Sequence, residues 1–161
     1  MELNVTTDHE AHRITVVSTF EHPLAKVWDL YADPRKLERW WGPPTYPATV
    51  VRHELRPGGV VHYFMTSPEG EKYHGLWHVD SVEPQASFAV RDLFADDDGE
   101  PLPNMPVATM RFAFDATDTG ARVECVTQYA SAEALAQVVE MGMEEGMRAA
   151  MGQMEDVLAE D

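Results

Sequence analysis

The amino-acid sequence predicts an α+β fold in which a seven-stranded, curved antiparallel sheet wraps around a long C-terminal helix. Three observations predict it. Residues 48–130 alternate apolar and polar positions in short runs that are separated by turn residues. Residues 132–160 instead carry an apolar stripe at three- and four-residue spacing. Two short helical patterns stand between the first strand and this sheet, so that helices and strands are segregated along the chain.

The N-terminal part begins with residues 1–12, a polar segment that we interpret as a flexible leader. Residues 13–20 are rich in β-branched side chains and predict the first strand. A helix is predicted from Pro23, which suits a first helical turn, because apolar residues then recur at helical spacing. Asp33-Pro34 ends that helix, and a second short helix is predicted over residues 35–40.

Six further strands are predicted after the turn at Trp41-Gly42-Pro43. Turn motifs such as Pro57-Gly58-Gly59 separate them, and short links between consecutive strands indicate an antiparallel meander. One longer connection, residues 96–106, is acidic and proline-rich and predicts a loop. The predicted strands lie near residues 48–55, 59–67, 72–83, 86–94, 107–116 and 121–130.

The C-terminal helix is predicted to begin after Ser131, a favourable N-cap, and to continue to about Glu160. Its apolar stripe is rich in methionine, whose unbranched side chain adapts to irregular shapes. Gly142 and Gly146 lie one turn apart, and each costs about 1 kcal/mol relative to alanine in a helix interior. Close packing of the helix against the sheet is the explanation we favour, and room for a ligand is the alternative.

Length and composition fit one domain, residues 13–161, of ordinary hydrophobic content. No apolar run approaches the roughly 20 residues that a membrane-spanning helix needs. The formal net charge is −16, and residues 61–161 hold 20 Asp and Glu against 5 Lys and Arg. Such a surface repels phosphate backbones and anionic lipid headgroups, which argues against nucleic-acid and membrane partners, and we expect no membrane insertion. Because the N-terminus lacks a signal-peptide pattern, we expect a cytoplasmic protein.

Patterns for catalysis or metal binding are sparse. Cys125, the single cysteine, lies in a predicted strand and fits a small buried hydrophobe better than a nucleophile. His74 and His78 are four residues apart on a strand, a span of about 13 Å, which is too long for both to bind one zinc ion. Asp92 is the best candidate for an acid or base, because alternation points it inward near a strand end. We assign no catalytic residue, no metal site and no cofactor.

Large side chains at alternate strand positions predict a concave surface of aromatic and thioether groups that faces the helix. Trp40 and Trp41 are expected at the mouth of the resulting cavity, where Gly42 and Pro43 would let their loop act as a gate. The alternative is that all these side chains fill a solid core. The predicted ligand-binding residues are Trp40, Trp41, Tyr63, Met65, Tyr73, Trp77, Phe88, Phe112, Phe114, Met143 and Met147.

A set of motifs runs the length of the chain: residues 20–23, Val27-Trp28, Asp33-Pro34, residues 40–43, residues 56–59, residues 68–70 and residues 142–147. In their order and spacing these motifs resemble the START-like superfamily of polyketide cyclases and birch-pollen-allergen-like proteins. Within that superfamily, the chain is similar to the branch of the activator of heat-shock-protein-90 ATPase. The resemblance implies a helix-grip fold over roughly residues 13–159, with a cavity between sheet and helix. It implies no particular ligand, since similar members include lipid carriers, hormone-binding proteins and cyclases.

Three functions stay open from the sequence. The first choice is binding of a small apolar molecule, of lipid-, polyketide- or aromatic-like character, in the cavity. The second is an enzyme of cyclase or hydrolase type in the same cavity, which pKa-perturbed groups on the wall would favour. The third is a protein-interaction or co-chaperone-like module, which predicts an exposed apolar patch around Trp40-Trp41. A homodimer is compatible with all three.

Overall fold

The computed structural model describes residues 1–160, which form eight β-strands and five α-helices. The strands are β1 (Glu2–Asp8), β2 (Arg13–Phe20), β3 (Ala48–His53), β4 (Val60–Thr66), β5 (Lys72–Glu83), β6 (Ser87–Ala95), β7 (Ala108–Ala116) and β8 (Ala121–Tyr129). The helices are α1 (Leu24–Ala32), α2 (Pro34–Trp40), α3 (Ala132–Glu140), α4 (Met143–Met151) and α5 (Met154–Ala159). One antiparallel sheet holds the strands in the order β1-β2-β8-β7-β6-β5-β4-β3. The predicted α+β helix-grip fold is confirmed.

The sheet has eight strands instead of the predicted seven, because most of the segment interpreted as a flexible leader forms β1. Every residue of β1 pairs with a residue of β2. Leu3 and Val5 alternate with polar residues and pack against the core. With only two large apolar side chains, this edge strand has too weak a pattern to be recognised by periodicity. The other seven strands lie within two residues of their predicted ends.

The two short helices α1 and α2 pack against α5 and against strands β3, β7 and β8. Local sequence sets their boundary. The Asp33 side chain accepts a hydrogen bond from the backbone nitrogen of Arg35 at 2.9 Å, and Pro34 occupies the first turn of α2. The Trp40 indole at the end of α2 donates to the carbonyl oxygen of Leu30 at 2.8 Å. This bond ties the two helices together.

The C-terminal helix is divided into α3, α4 and α5, whereas one continuous helix was predicted. Ser131 caps α3 as expected, and its side-chain oxygen accepts from the backbone nitrogen of Ala134 at 3.1 Å. The first break is at Gly142, whose φ of +79° lies in the left-handed region that glycine adopts without steric cost. The second break follows Met151. Because the apolar stripe runs through both breaks, periodicity alone predicted one helix. No helix within residues 1–160 is long and apolar enough to span a membrane.

The space between sheet and helices is filled at the end covered by α1 and α5. The ring centroids of Phe88 and Phe112 are 4.3 Å apart in a stacked pair. The Trp28 ring meets Phe114 edge to face at 4.9 Å, and Met154 of α5 is fully buried. Close packing at this end leaves the unfilled volume under α3 and α4.

Candidate ligand-binding cavity

A cavity of about 440 Å³ lies between the concave face of the sheet and the segments α3 and α4. Strands β2, β4, β5, β6, β7 and β8 contribute to one side, and the helical segments form the other. The wall is mostly aromatic, aliphatic and thioether. Small-molecule sites typically have volumes of about 300–1,000 Å³ and walls of this composition. This half of the molecule therefore has space for a ligand of moderate size.

Eight of the eleven predicted ligand-binding residues line the cavity, and they come from both sides of it. They are Trp40, Trp41, Tyr63, Met65, Tyr73, Phe112, Met143 and Met147. Tyr73 differs from the other rings because it is 54% exposed. Its hydroxyl donates to Glu71 Oε2 at 2.7 Å. Met141 also lines the cavity and is 64% exposed. Tyr73 and Met141 therefore mark the mouth.

The other three predicted residues, Trp77, Phe88 and Phe114, lie in the filled end and not on the cavity wall. Each is at most 4% exposed. Alternation correctly put them on the concave face, but it carries no information on which part of that face the helices cover tightly. Trp77 meets Trp41 edge to face at 4.9 Å and so supports the wall from behind.

Trp40 and Trp41 form part of the wall. Trp40 is 2% exposed, and its indole is hydrogen-bonded to Leu30 as described above. The Trp41 ring lies edge to face with Trp40 at 5.5 Å and with Tyr63 at 5.8 Å. These contacts direct both rings into the protein. They do not form the exposed apolar patch that the interaction-module alternative requires.

Gly142 and Gly146 leave open space beside the helix. A Cβ added at either position would have no neighbouring atom within 4 Å, and both glycines line the cavity. Close packing against the sheet, the explanation we favoured from sequence, is therefore wrong. The alternative, that they leave room beside the helix, agrees with the geometry.

The polar centre of the wall is a pair formed by Tyr63 and Asp92. The Tyr63 hydroxyl donates to Asp92 Oδ1 at 3.3 Å. Gly75 lies directly opposite Tyr63 in the neighbouring strand, and a Cβ there would lie 2.5 Å from the Tyr63 hydroxyl oxygen. The ring thus crosses β5 over a residue with no side chain and reaches β6. Asp92 faces inward as predicted, whereas the neighbouring Arg91 points outward, with its Nε 3.5 Å from Asp80 Oδ1.

Burial changes the proton affinity of several groups on the wall. It raises the pKa of Asp92 to about 7, and the hydrogen bond from Tyr63 opposes part of that rise. Burial, reinforced by the nearby Asp92 charge, raises the pKa of Tyr63 well above its usual value and that of Tyr129 to about 12. Burial also raises the pKa of the Cys125 thiol to about 12. At neutral pH these phenols and the thiol stay protonated. Asp92, with a pKa of about 7, is then present in both its protonated and its ionised form.

Strands β2 and β8 supply wall residues that the sequence prediction left out. They are Ile14, Val16 and Ser18 from β2, and Val123, Cys125, Thr127 and Tyr129 from β8. Each set follows the period of two along its strand, so the signal was present. The predicted site consisted of large aromatic and thioether side chains, and these two strands carry mainly smaller ones. Their residues were therefore left out of the prediction.

The histidines contact different partners. His62 Nε2 and His74 Nδ1 lie 2.9 Å apart, and His74 Nε2 lies 3.6 Å from Asp97 Oδ1. His53 Nε2 instead contacts the carbonyl oxygen of Tyr31 at 3.0 Å. Within residues 1–160, no group of three or more His, Cys, Asp or Glu side chains is arranged to hold a metal ion.

Residues 21–159 match the family described as Activator of Hsp90 ATPase homolog 1-like protein. The chain belongs to this family. The AHSA1-like chain is similar to the crystal structure of protein Ms6760 from Mycobacterium smegmatis, with 46% identity and a TM-score of 0.89 over 98% of this chain and 97% of that chain. It is also similar to the solution structure of a protein from Arthrobacter aurescens, with 38% identity and a TM-score of 0.91 over 98% of this chain and 92% of that chain. No curated protein matches it.

The AHSA1 protein from Silicibacter pomeroyi has the same fold, with a TM-score of 0.72 at 19% identity over 92% of this chain and 99% of that chain. At that identity the likeness concerns the fold alone. The resemblance to the AHSA1-like branch of the START-like superfamily is confirmed. Family membership establishes the fold and names no ligand.

Proposed function

We propose that this AHSA1-like protein binds a small apolar molecule in the cavity between its sheet and the segments α3 and α4. One observation carries the proposal: a cavity of about 440 Å³ with a largely apolar wall and one carboxyl–phenol pair. Known small-molecule sites combine an apolar wall with a few placed polar groups in this way. A lipid-, polyketide- or aromatic-like molecule fits that description.

The helical side of the cavity supports the same proposal. Met143, Met147 and Met151 line it, and flexible thioether side chains adjust to ligands of different shape. Gly142 and Gly146 leave adjacent space unoccupied by protein atoms. This side is therefore suited to accommodating a molecule without rearrangement of the sheet.

Titration with N-phenyl-1-naphthylamine, an uncharged probe whose fluorescence rises in apolar surroundings, tests the proposal. We expect saturable binding of one probe per chain. Gly146→Leu places an isobutyl group in the cavity and should weaken binding at least about tenfold, or ~1.4 kcal/mol. Gly146→Ala, which fills far less of the space, is the matched control and should change affinity less than about threefold. An absence of saturable binding, or equal affinity in the Gly146→Leu variant, would contradict the proposal.

Asp92 favours a second candidate, an enzyme of cyclase type that moves a proton on a bound ketone. A carboxylate whose pKa lies near the working pH is suited to general acid–base catalysis. The proton would pass from the carbon next to the carbonyl to the Asp92 carboxylate and be returned later. Exchange of the α-protons of 2-tetralone in D₂O, followed by NMR, tests this step. Faster exchange with the wild type than with Asp92→Asn supports catalysis, and equal rates contradict it.

The interaction-module or co-chaperone alternative has less support, since Trp40 and Trp41 lie in the cavity wall. A cytoplasmic location and a homodimer stay predictions from the sequence. Light scattering coupled to size-exclusion chromatography measures the oligomeric state directly.

A further inference from the structure

We propose that the ligand of this cavity is a lipophilic amine, bound as a cation with its charged nitrogen at Asp92 and its apolar part against the aromatic wall. This inference rests on the proposed binding function and adds the chemical class of the ligand. The inference depends on which charged side chains line the cavity.

Among the described residues, the cavity wall carries one carboxylate and no Lys or Arg side chain that could neutralise it. Among the described residues that line the cavity there is no Lys, Arg or Glu, and Asp92 is the single carboxylate. His74 also lines the cavity, but its ring nitrogens contact His62 and Asp97. An anionic ligand would therefore find no Lys or Arg among the described wall residues, whereas a cationic ligand finds a carboxylate.

Within residues 1–160, no ion pair neutralises Asp92. Among residues 1–160 the side chain hydrogen-bonded to it is Tyr63, at 3.3 Å. The adjacent Arg91 is directed to Asp80 on the other face of the sheet. Burying an ionised carboxylate without a cation costs free energy. A bound ammonium group would lower that cost by pairing with the carboxylate. Charge-assisted hydrogen bonds between an ammonium and a carboxylate are stronger than neutral ones.

The surroundings of Asp92 also suit a cation. Aromatic faces attract cations through their quadrupole, and Tyr31, Trp41, Tyr63 and Tyr129 all line the cavity. The net charge of −16, concentrated in residues 61–161, raises the local concentration of cations and lowers that of anions around the protein. Both effects favour a cationic ligand over an anionic one, as Asp92 does.

A matched set of naphthalene probes tests the ligand class: 2-naphthylmethylamine, 2-naphthylmethanol and 2-naphthoate, which differ in charge but little in shape. Each is titrated at pH 8 by calorimetry, with displacement of N-phenyl-1-naphthylamine as a second readout. We expect the wild type to bind the amine about tenfold or more tightly than the alcohol, and the carboxylate most weakly. Asp92→Asn should abolish the preference for the amine, because it should lower the affinity for the amine about tenfold more than the affinity for the alcohol.

Tyr63→Phe is the companion variant, since it keeps the carboxylate and removes the phenol that bonds to it. It should retain the preference for the amine, which keeps the inference testable if Asp92→Asn does not fold. Equal affinity for the amine and the alcohol, or tighter binding of the carboxylate, overturns the amine inference while cavity binding stands. An equal loss of amine and alcohol affinity in Asp92→Asn also overturns it. If no probe of any charge binds the wild type, the proposed binding function fails as well.

Discussion

Tyr63 and Gly75 are cross-strand partners that share one space. The ring lies over Gly75, so that a Cβ at position 75 would be 2.5 Å from Tyr63 Cζ. Such a distance is far inside van der Waals contact, and the ring position therefore depends on the glycine. The same ring brings its hydroxyl to Asp92. Gly75 thus positions the polar centre of the cavity although it has no side chain of its own.

Gly75→Ala should destabilise the protein by about 1–3 kcal/mol, because the new methyl group displaces the Tyr63 ring or bends the strand. Urea denaturation of the variant and the wild type measures the change. In a Tyr63→Ala background the same substitution should cost much less, since the ring it collides with is gone. Equal costs in the two backgrounds would show that the Tyr63–Gly75 contact is not responsible.

Gly146→Ala should stabilise the protein by up to about 1 kcal/mol, because it removes a helix-interior glycine and its methyl group meets open space. Gly142→Ala makes an informative comparison. Gly142 also faces open space, but its φ of +79° makes any side chain strained, so this variant should be less stable than the wild type. Thermal unfolding of both variants shows whether each substitution raises or lowers the stability of the protein. Destabilisation by Gly146→Ala would mean that the helix packs more closely there than we describe.

Much of the fold was predictable because period-two strands and turn residues are local signals. Two features were missed, β1 and the break at Gly142. The weak strand β1 gains its stability by pairing with β2, which is a tertiary contact. The spacing of the apolar residues does not reveal that Gly142 adopts a left-handed φ. The site was predictable in part. Alternation placed Tyr63 and Asp92 on the concave face, but the hydrogen bond between them depends on the register of three strands, which the sequence does not specify.

Asp92 should make the stability depend on pH. Its ordinary pKa of 3.8 describes the unfolded chain, and burial raises the pKa to about 7 in the folded protein. Between these pH values the folded protein holds a proton that the unfolded chain has lost, so raising the pH through this window destabilises the folded state. The loss levels off above about pH 7.

Asp92→Asn removes that dependence. The free energy of unfolding of the variant minus that of the wild type should therefore increase between pH 4 and 7 and stay level above that. Urea denaturation of both proteins across this range measures the difference. A difference that is constant with pH would contradict the raised pKa of Asp92.

Tyr63→Phe should raise the pKa of Asp92 further, because the hydrogen bond that it removes favours the carboxylate. NMR titration of the ¹³C-labelled Asp92 carboxyl carbon measures this directly. Tyr73→Phe is the control, since the Tyr73 hydroxyl bonds to Glu71 instead. A pKa of Asp92 that is unchanged in the Tyr63→Phe variant would exclude the hydrogen bond as an influence on the cavity's acid.

Alternate amide hydrogens of residues 2–8 should exchange slowly, because these residues form the edge strand β1 and pair with β2 along their whole length. Hydrogen–deuterium exchange detected by mass spectrometry measures this in the N-terminal peptide. Leu3→Asp, which puts a charge where Leu3 packs against the core, should accelerate exchange of that peptide. If the wild-type peptide exchanges at the rate of an unstructured peptide, β1 does not form stably and the first interpretation of a flexible leader is correct.

Binding in the cavity can be tested on the protein as purified, by native mass spectrometry followed by unfolding and identification of any released compound. We expect a small apolar molecule bound one to one in the wild type and absent from the Gly146→Leu variant purified in parallel. A wild type that is empty and also fails to bind N-phenyl-1-naphthylamine would contradict it.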